Sequence, residues 1–143
     1  MTILVKGDPQ NKHVYFGIDK LTKKHKKAIR NASFDIGREI RRDARSAINN
    51  IGKTGRIYRI GGRVHQASAP GQEPANITGR LRDSIDFDVR SYKQVEFGYR
   101  ELYGRFLEDG TRFIERRPNL RPVADNKTQR FINYMVRHYH AHK

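Results

Sequence analysis

The sequence contains no cysteine and no tryptophan, and its acidic residues are half as numerous as its basic ones. Without cysteine the chain forms neither disulfides nor thiolate metal sites, and it suits a reducing compartment. No apolar run approaches the roughly 20 residues that a membrane-spanning helix needs. The first residues also lack the pattern of a secretory signal. We therefore expect no disulfide-stapled fold and no membrane partner.

The shortage of acidic residues leaves a strongly basic chain. Thirty Lys and Arg residues against fifteen Asp and Glu residues give a formal net charge of +15 at pH 7. Such an excess indicates the partners of a protein rather than its fold, and the usual partners are nucleic acid, an anionic membrane surface or an acidic protein. The alternative is a basic surface that contacts only water.

The length of 143 residues is typical of one domain, and a hydrophobic fraction of 36% predicts a thin core. We therefore predict a single domain, 1–143, in five consecutive parts. These parts are N-terminal strands over 1–18, a long helix over 19–51, an extended arm or loop over 52–77, a short helix, β-hairpin and turn over 78–111, and a link with a C-terminal helix over 112–143.

The clearest pattern is that of the long helix. Apolar residues recur every three or four positions from Leu21 to Ile51, and Asp19 is a suitable N-cap. Gly37 interrupts the pattern, which indicates a bend or a close backbone contact. Lys and Arg cover the opposite faces. An acidic row at i, i+4 spacing, within reach of Arg38, Arg42 and Arg45, consists of Asp35, Glu39 and Asp43.

Alternating apolar residues predict two antiparallel hairpins, one over 2–18 and one over 84–100. Glycines around Ile57–Ile60 favour a further short strand or β-ribbon. Pro122 suits the first turn of a second helix, whose apolar positions extend to Tyr139. The predicted fold is α+β: one antiparallel sheet packed with a long N-terminal helix and a C-terminal helix, plus a long extended loop.

Residues 65–81 form a stretch without helical or strand period, punctuated by prolines and glycines. Irregular loops of this length in a small domain are usually functional or disordered. The stretch is rich in small residues that let backbones approach each other. We expect residues 62–77 to form an arm on an adjacent subunit; the alternative is a mobile surface loop.

Candidate catalytic patterns are weak. The string 51–54 resembles the end of a phosphate-binding loop, but position 47 holds Ala where that motif needs Gly. His138 and His142 share a helix face but lack a third metal ligand, so a frayed basic tail is the preferred interpretation. The pair Asp86 and Asp88 has the spacing of the solvated side of a strand. We therefore predict no catalytic residue, no metal site and no cofactor.

An ordered series of motifs spans residues 65–122. It begins with His65-Gln-Ala-Ser-Ala-Pro-Gly-Gln-Glu-Pro-Ala75 and continues with Thr78-Gly-Arg-Leu81. It ends with Tyr103, Leu107-Glu-Asp-Gly-Thr111 and Arg117-Pro-Asn-Leu-Arg-Pro122. This series resembles the putative tail-component family of long-tailed bacteriophages, which are small neck or tail-completion proteins of the head–tail junction. Two positions depart from the family pattern: Asp109 stands where an aromatic residue is usual, and Asn119 where a bulky apolar residue is usual.

The resemblance implies a virion structural protein rather than an enzyme, assembled in the host cytoplasm and built into the neck or tail end. It also implies a homo-oligomeric ring of six or twelve copies that contacts neighbouring connector or tail proteins. The expected subunit-interface residues are His65, Gln66, Ala67, Ser68, Ala69, Pro70, Gly71, Pro74, Thr78, Gly79, Leu81, Tyr103, Leu107, Glu108, Gly110, Thr111, Arg117 and Pro118.

A ring of such basic subunits repels itself unless anions compensate its charge. We therefore expect part of the long helix to face DNA, through phosphate contacts, or an acidic neighbour. The candidate contacts are Lys20, Lys23, Lys24, Lys27, Arg30, Arg38, Arg41 and Arg45. The alternative functions are a stand-alone basic nucleic-acid-binding domain that does not read sequence and an enzyme acting on phosphorylated or nucleic-acid substrates.

Overall fold

A computed structural model of the chain describes residues 3–7, 12–16, 22–50, 52–92 and 94–141. In chain order its elements are β1 (Ile3–Gly7), β2 (Lys12–Phe16), α1 (Lys23–Asn49), β3 (Ile57–Ile60), β4 (Arg63–Gln66), α2 (Arg80–Asp83), β5 (Ile85–Ser91), β6 (Gln94–Tyr99), α3 (Leu102–Asp109), α4 (Leu120–Asp125) and α5 (Thr128–His140).

The main sheet has four antiparallel strands in the order β1-β2-β6-β5. Both hairpins that alternation predicts are present. In the second hairpin, Ile85 pairs with Tyr99 and Phe87 with Phe97, so the predicted apolar residues share one face. The first hairpin joins this pair through β2 and β6. The predicted α+β class is therefore confirmed.

Helix α1 packs its apolar stripe against this sheet. Ile36, Ile40 and Ile48 are buried in one cluster with Ile85 and Val95. Leu120 of α4 and Phe131 of α5 complete the same cluster, since both helices contact α1. Helix α1 is the centre of this core, because α2, α4, α5, β5 and β6 all contact it.

Gly37 marks the closest approach of α1 to the sheet. A Cβ atom at this position would lie 2.3 Å from the ring of Phe87. The interruption in the helical pattern therefore reflects a close contact with β5, one of the two alternatives that the sequence left open.

Three predicted boundaries or features were wrong. Helix α1 begins at Lys23 with Thr22 as its N-cap, whereas Asp19 and Ile51 lie outside the described residues. The C-terminal helix is divided into α4 and α5. The prediction of a single sheet is corrected, because β3 and β4 form a second, two-stranded sheet within the segment expected to be an extended loop.

Candidate subunit interface

The β3–β4 hairpin projects from the rest of the fold. Its strands are joined by Gly61 and Gly62, both with positive φ (55° and 80°). A two-residue turn of this kind matches the twist of the flanking strands and favours glycine at both positions. The sequence thus specifies a hairpin at this point, although neither strand pairs with the main sheet.

Both faces of the hairpin carry large apolar side chains. Ile57 and Val64 lie on one face and are 61% and 66% exposed. Tyr58 and Ile60 lie on the other face and are also exposed. An isolated two-stranded hairpin is marginally stable in water, and clustered apolar exposure of this kind is typical of a contact surface. The hairpin is therefore the element best suited to reach another molecule.

Residues 67–76 behave differently, because they bind their own chain. The Gln72 side chain accepts hydrogen bonds from the backbone N–H groups of Thr54 and Ala69, at 3.0 and 2.9 Å. The backbone N–H of Gly71 donates to the carbonyl of Arg116 at 2.9 Å. The extended segment expected over 52–77 therefore consists of a projecting hairpin and an anchored loop. The part left to reach a neighbour is 57–66 rather than all of 62–77.

The motif segments converge at Glu108, a carboxylate that is only 5% exposed. Its two oxygens accept hydrogen bonds at 2.9–3.1 Å from the backbone N–H groups at the start of α4, those of Asn119, Leu120 and Arg121. These donors are otherwise unsatisfied at a helix N-terminus, where negative charge is favourable. Glu108 thus joins the two motifs 103–111 and 117–122.

Tyr99 and Asn119 extend this joint into the core. The hydroxyl of Tyr99 donates to Glu108 at 3.2 Å. Burial raises the pKa of Tyr99, and the charge of Glu108 raises it further, so the hydroxyl keeps its proton. The Asn119 amide donates to the carbonyl of Ala44 in α1 at 3.1 Å. A bulky apolar residue at position 119 would lose this link between α4 and α1.

Arg117 connects the joint to the anchored loop. Its backbone N–H donates to the carbonyl of Leu107 at 2.7 Å, and its guanidinium donates to the carbonyl of Ser68 at 3.3 Å. The predicted interface residues that lie within the fold are Ser68, Pro74, Gly79, Leu81 and Glu108. Those that remain exposed are Gln66, Pro70, Gly71, Thr78, Tyr103 and Thr111. The predicted interface residues that are half-buried are His65, Ala67, Ala69, Leu107, Gly110, Arg117 and Pro118.

A groove of about 410 Å³ lies beneath the hairpin, between it, the anchored loop and α3. Tyr58 and His65 form one side, and Tyr103 and Leu107 form the other. The His65 ring lies edge-on to Tyr58 at 5.1 Å. Among the described residues, the buried Nε2 of His65 has no hydrogen-bond partner.

The apolar surface continues from the groove along α3. Leu102, Tyr103 and Phe106 are all exposed, with Leu102 at 73%, and Ile77 is exposed beside the groove. We call Ile77, Leu102, Tyr103 and Phe106 the α3 patch. The hairpin and the α3 patch are different apolar surfaces of one chain.

The acidic row of α1 faces α5, and Asp35 and Asp43 also pair with Arg38 and Arg42 of their own helix. Glu39 accepts from Lys127 and from the Tyr134 hydroxyl, both at 2.8 Å, and Lys127 also reaches Asp43 at 2.6 Å. Burial alone would raise the pKa of Glu39, but hydrogen bonds from Lys127 and Tyr134 lower it below its ordinary value. This polar seam between the helices was not predicted, because its partners are some 90 residues apart in the sequence.

His138 belongs to the same seam. Its Nε2 lies 2.6 Å from Oδ2 of Asp35, and the residue is half-buried within α5. The prediction of a frayed tail at this position was therefore wrong, whereas His142 lies outside the described residues.

The arginines in the second half of α1 are also engaged within the fold. Arg38 pairs with Asp35, and Arg41 pairs with Asp86 at 3.2 Å. The guanidinium of Arg45 donates to the carbonyl of Ile85 at 2.9 Å. Of the remaining predicted cationic contacts, Lys20 lies outside the described residues, Lys24 is half-buried, and Lys23, Lys27 and Arg30 are exposed.

The weak catalytic candidates have structural contacts. Lys53 is buried, where it donates to the carbonyl of Ala47 and pairs with Glu73 at 3.2 Å. Asp86 and Asp88 are both ion-paired, the latter with Arg90. Within the described ranges there is no group of three or more His, Asp or Glu side chains able to hold a metal ion. No helix among these residues has the length and apolarity to cross a bilayer.

No family model, curated protein or solved structure matches this chain.

Proposed function

We propose that this protein is a virion structural protein of a tailed bacteriophage, forming an oligomeric ring in the neck or at the tail end. The observation that carries the proposal is the exposed β3–β4 hairpin, with large apolar side chains on both faces. The motif series over 65–122 supplies the link to phage tail-component proteins. The role is tail completion, tail termination or head–tail joining.

The ring contact is a head-to-tail one. The hairpin of one copy packs against the α3 patch of the next, because each surface is apolar and they lie on different parts of the chain. A contact between two different surfaces repeats around an axis and closes into a ring when its rotation allows. The anchored loop and the Glu108 joint hold the hairpin base and α3 in a fixed relation, which such a repeat requires.

Removing apolar surface from the hairpin tests the proposal. We expect the unaltered chain to sediment as an oligomer at high protein concentration in sedimentation velocity, and the double variant Ile57→Thr/Val64→Thr to sediment as a monomer. Thr keeps the β-branched shape that suits a strand while it removes apolar contact. A matched control is Val136→Thr, which changes an exposed residue of α5; it should assemble as the unaltered chain does.

The stand-alone nucleic-acid-binding domain is the competing function. It predicts a monomer at every protein concentration that nevertheless binds DNA tightly in physiological salt. If both variants reduce the oligomer equally, or if neither reduces it, the hairpin is not the contact between subunits.

A further inference from the structure

The start of α1 and the end of α5 together form a surface without acidic residues. Residues 20–34 and 126–143 contain no Asp or Glu, although the first stretch lies between Asp19 and Asp35 and the second directly follows Asp125. Lys127 and Arg130 of the second stretch pair with Glu39 of α1. The other described Lys and Arg residues, at the start of α1 and the end of α5, are Lys23, Lys24, Lys26, Lys27, Arg30 and Arg137, with His140 beside them. We call this surface the basic end.

Aromatic stacking joins the two helix termini into one surface. The ring of His25 stacks on Tyr139 with centroids 4.8 Å apart, and Lys24 Nζ lies 4.4 Å from the centroid of the same ring. Cations on α1 and α5 are therefore held next to each other on a rigid base. A fixed base lowers the conformational entropy that a cation loses when it binds a ligand.

An exposed row follows one face of α1. Lys23, Lys27 and Arg30 have i, i+4, i+7 spacing, which places them on the same side of a helix. Seven rises of about 1.5 Å separate the first and last residues of the row, which gives a length of roughly 10 Å. That length is comparable to the roughly 12 Å width of the major groove of B-DNA.

The basic end differs from the rest of α1 in its charge balance. Farther along the helix, Arg38, Arg41 and Arg45 are bound to carboxylates or carbonyls of the fold. Arg41 and Arg45 thus hold α1 to β5, whereas Arg38 is paired within α1. The described part of the basic end has no acidic side chain of its own, and the adjoining Asp35 is already paired with Arg38 and His138. The charges of the lysines and of Arg30 therefore have no carboxylate of the basic end to offset them.

We propose that the basic end binds the phosphate backbone of double-stranded DNA without reading its sequence. Binding of this kind needs several cations on a rigid element and no base contacts. An acidic protein is a less suitable partner, because lysine is depleted at protein–protein interfaces, and four lysines lie within residues 23–27. The inference does not rest on ring formation, since the monomer alone presents this surface.

Salt dependence of DNA binding tests the inference. Fluorescence anisotropy with a 30-base-pair duplex gives the slope of log K against log salt concentration. For the triple variant Lys23→Gln/Lys27→Gln/Arg30→Gln, we expect this slope to shrink by about 2–3, because each lost phosphate contact removes about 0.9. Gln has a helix propensity close to that of Lys and Arg, so α1 remains intact.

The matched control removes the same charge elsewhere. The variant Arg56→Gln/Arg59→Gln/Arg63→Gln neutralises three exposed arginines in and beside the hairpin, and it should keep the slope of the unaltered chain. Equal losses in both variants would mean that only net charge matters, and that result overturns the inference.

Two further outcomes would also overturn it. One is an unaltered chain that binds the duplex no more tightly than an uncharged polymer. The other is a polyglutamate competitor of equal charge that displaces the duplex at equal or lower concentration, which would indicate an acidic protein partner. If displacing the duplex requires a large excess of polyglutamate, the result supports DNA as the partner of the basic end.

Discussion

Glu108 is the residue on which the arrangement of the motif segments depends. Its carboxylate is buried and accepts three backbone N–H groups of α4 as well as the hydroxyl of Tyr99. Hydrogen bonds to a carboxylate are roughly twice as strong as those between neutral groups. The motif Leu-Glu-Asp-Gly-Thr therefore carries a structural carboxylate, with Gly110 ending α3 at a φ of 76°.

The variant Glu108→Gln should lose about 2–4 kcal/mol of unfolding free energy. Both carboxylate oxygens of Glu108 accept backbone N–H groups, and in Gln one of these oxygens is replaced by an NH2 group, which cannot accept a hydrogen bond. Urea denaturation followed by circular dichroism measures this loss. The control Glu101→Gln removes a carboxylate that pairs with the exposed Arg80, and we expect it to cost less than about 1 kcal/mol. Equal losses in the two variants would contradict the role given to Glu108.

At the level of elements, the α1–α5 seam couples stability to pH. Asp35, Glu39 and Asp43 all have pKa values below their ordinary ones; burial alone would raise them, but hydrogen bonds with His138, Lys127 and neighbouring groups outweigh it. A lowered acid pKa stabilises the fold above the unfolded-state value, and this contribution is lost as pH falls through the folded-state value. The pKa of Lys127 is raised, mainly by its bonds to Asp43 and Glu39, so its contribution is lost only in strong alkali.

The variant Glu39→Gln should therefore be less stable than the unaltered chain by about 2–3 kcal/mol at pH 7, where the carboxylate is charged. The difference should shrink as the pH is lowered below 4.5, the ordinary pKa of Glu, because Glu39 is protonated first in the unfolded chain and only at lower pH in the folded one. Urea midpoints between pH 3 and pH 7 measure both quantities. A difference that is constant across this range would show that the charge of Glu39 does not matter.

Local pattern was sufficient to predict several elements. The stripe of α1 and the alternation of β5 and β6 follow from side-chain period alone, and Pro122 lies in the first turn of α4 as predicted. Strand β4 was assigned to the loop, because Arg63-Val-His-Gln66 has no clear alternation. The pair Gly61-Gly62 was the available signal for a hairpin.

Other features depend on contacts that no local pattern contains. The break between α4 and α5 lies at Asn126 and Lys127, where Lys127 turns to the acidic row of α1. The acceptor role of Glu108 depends on backbone donors that follow it by 11–13 residues. Predicting either feature would require the packing of α1 against the C-terminal helices.

At the scale of the whole molecule, the basic end is distinct from the hairpin and the α3 patch, although the hairpin also carries the exposed Arg59 and Arg63. The hairpin and the α3 patch carry exposed apolar side chains, whereas the basic end consists of the start of α1 and the end of α5. A ring built through the apolar surfaces would repeat the basic end once per subunit. Such a ring gathers positive charge that an enclosed DNA molecule would neutralise.

The central claim is that the hairpin of one copy packs on the α3 patch of the next, and cysteine cross-linking tests it most directly. The chain has no native cysteine, so the introduced cysteine is the only thiol in each single variant. We predict that a mixture of the single variants Val64→Cys and Phe106→Cys forms mixed disulfides faster than either variant alone. If this mixture cross-links no faster than one of Val64→Cys with Val136→Cys, the proposed contact is contradicted.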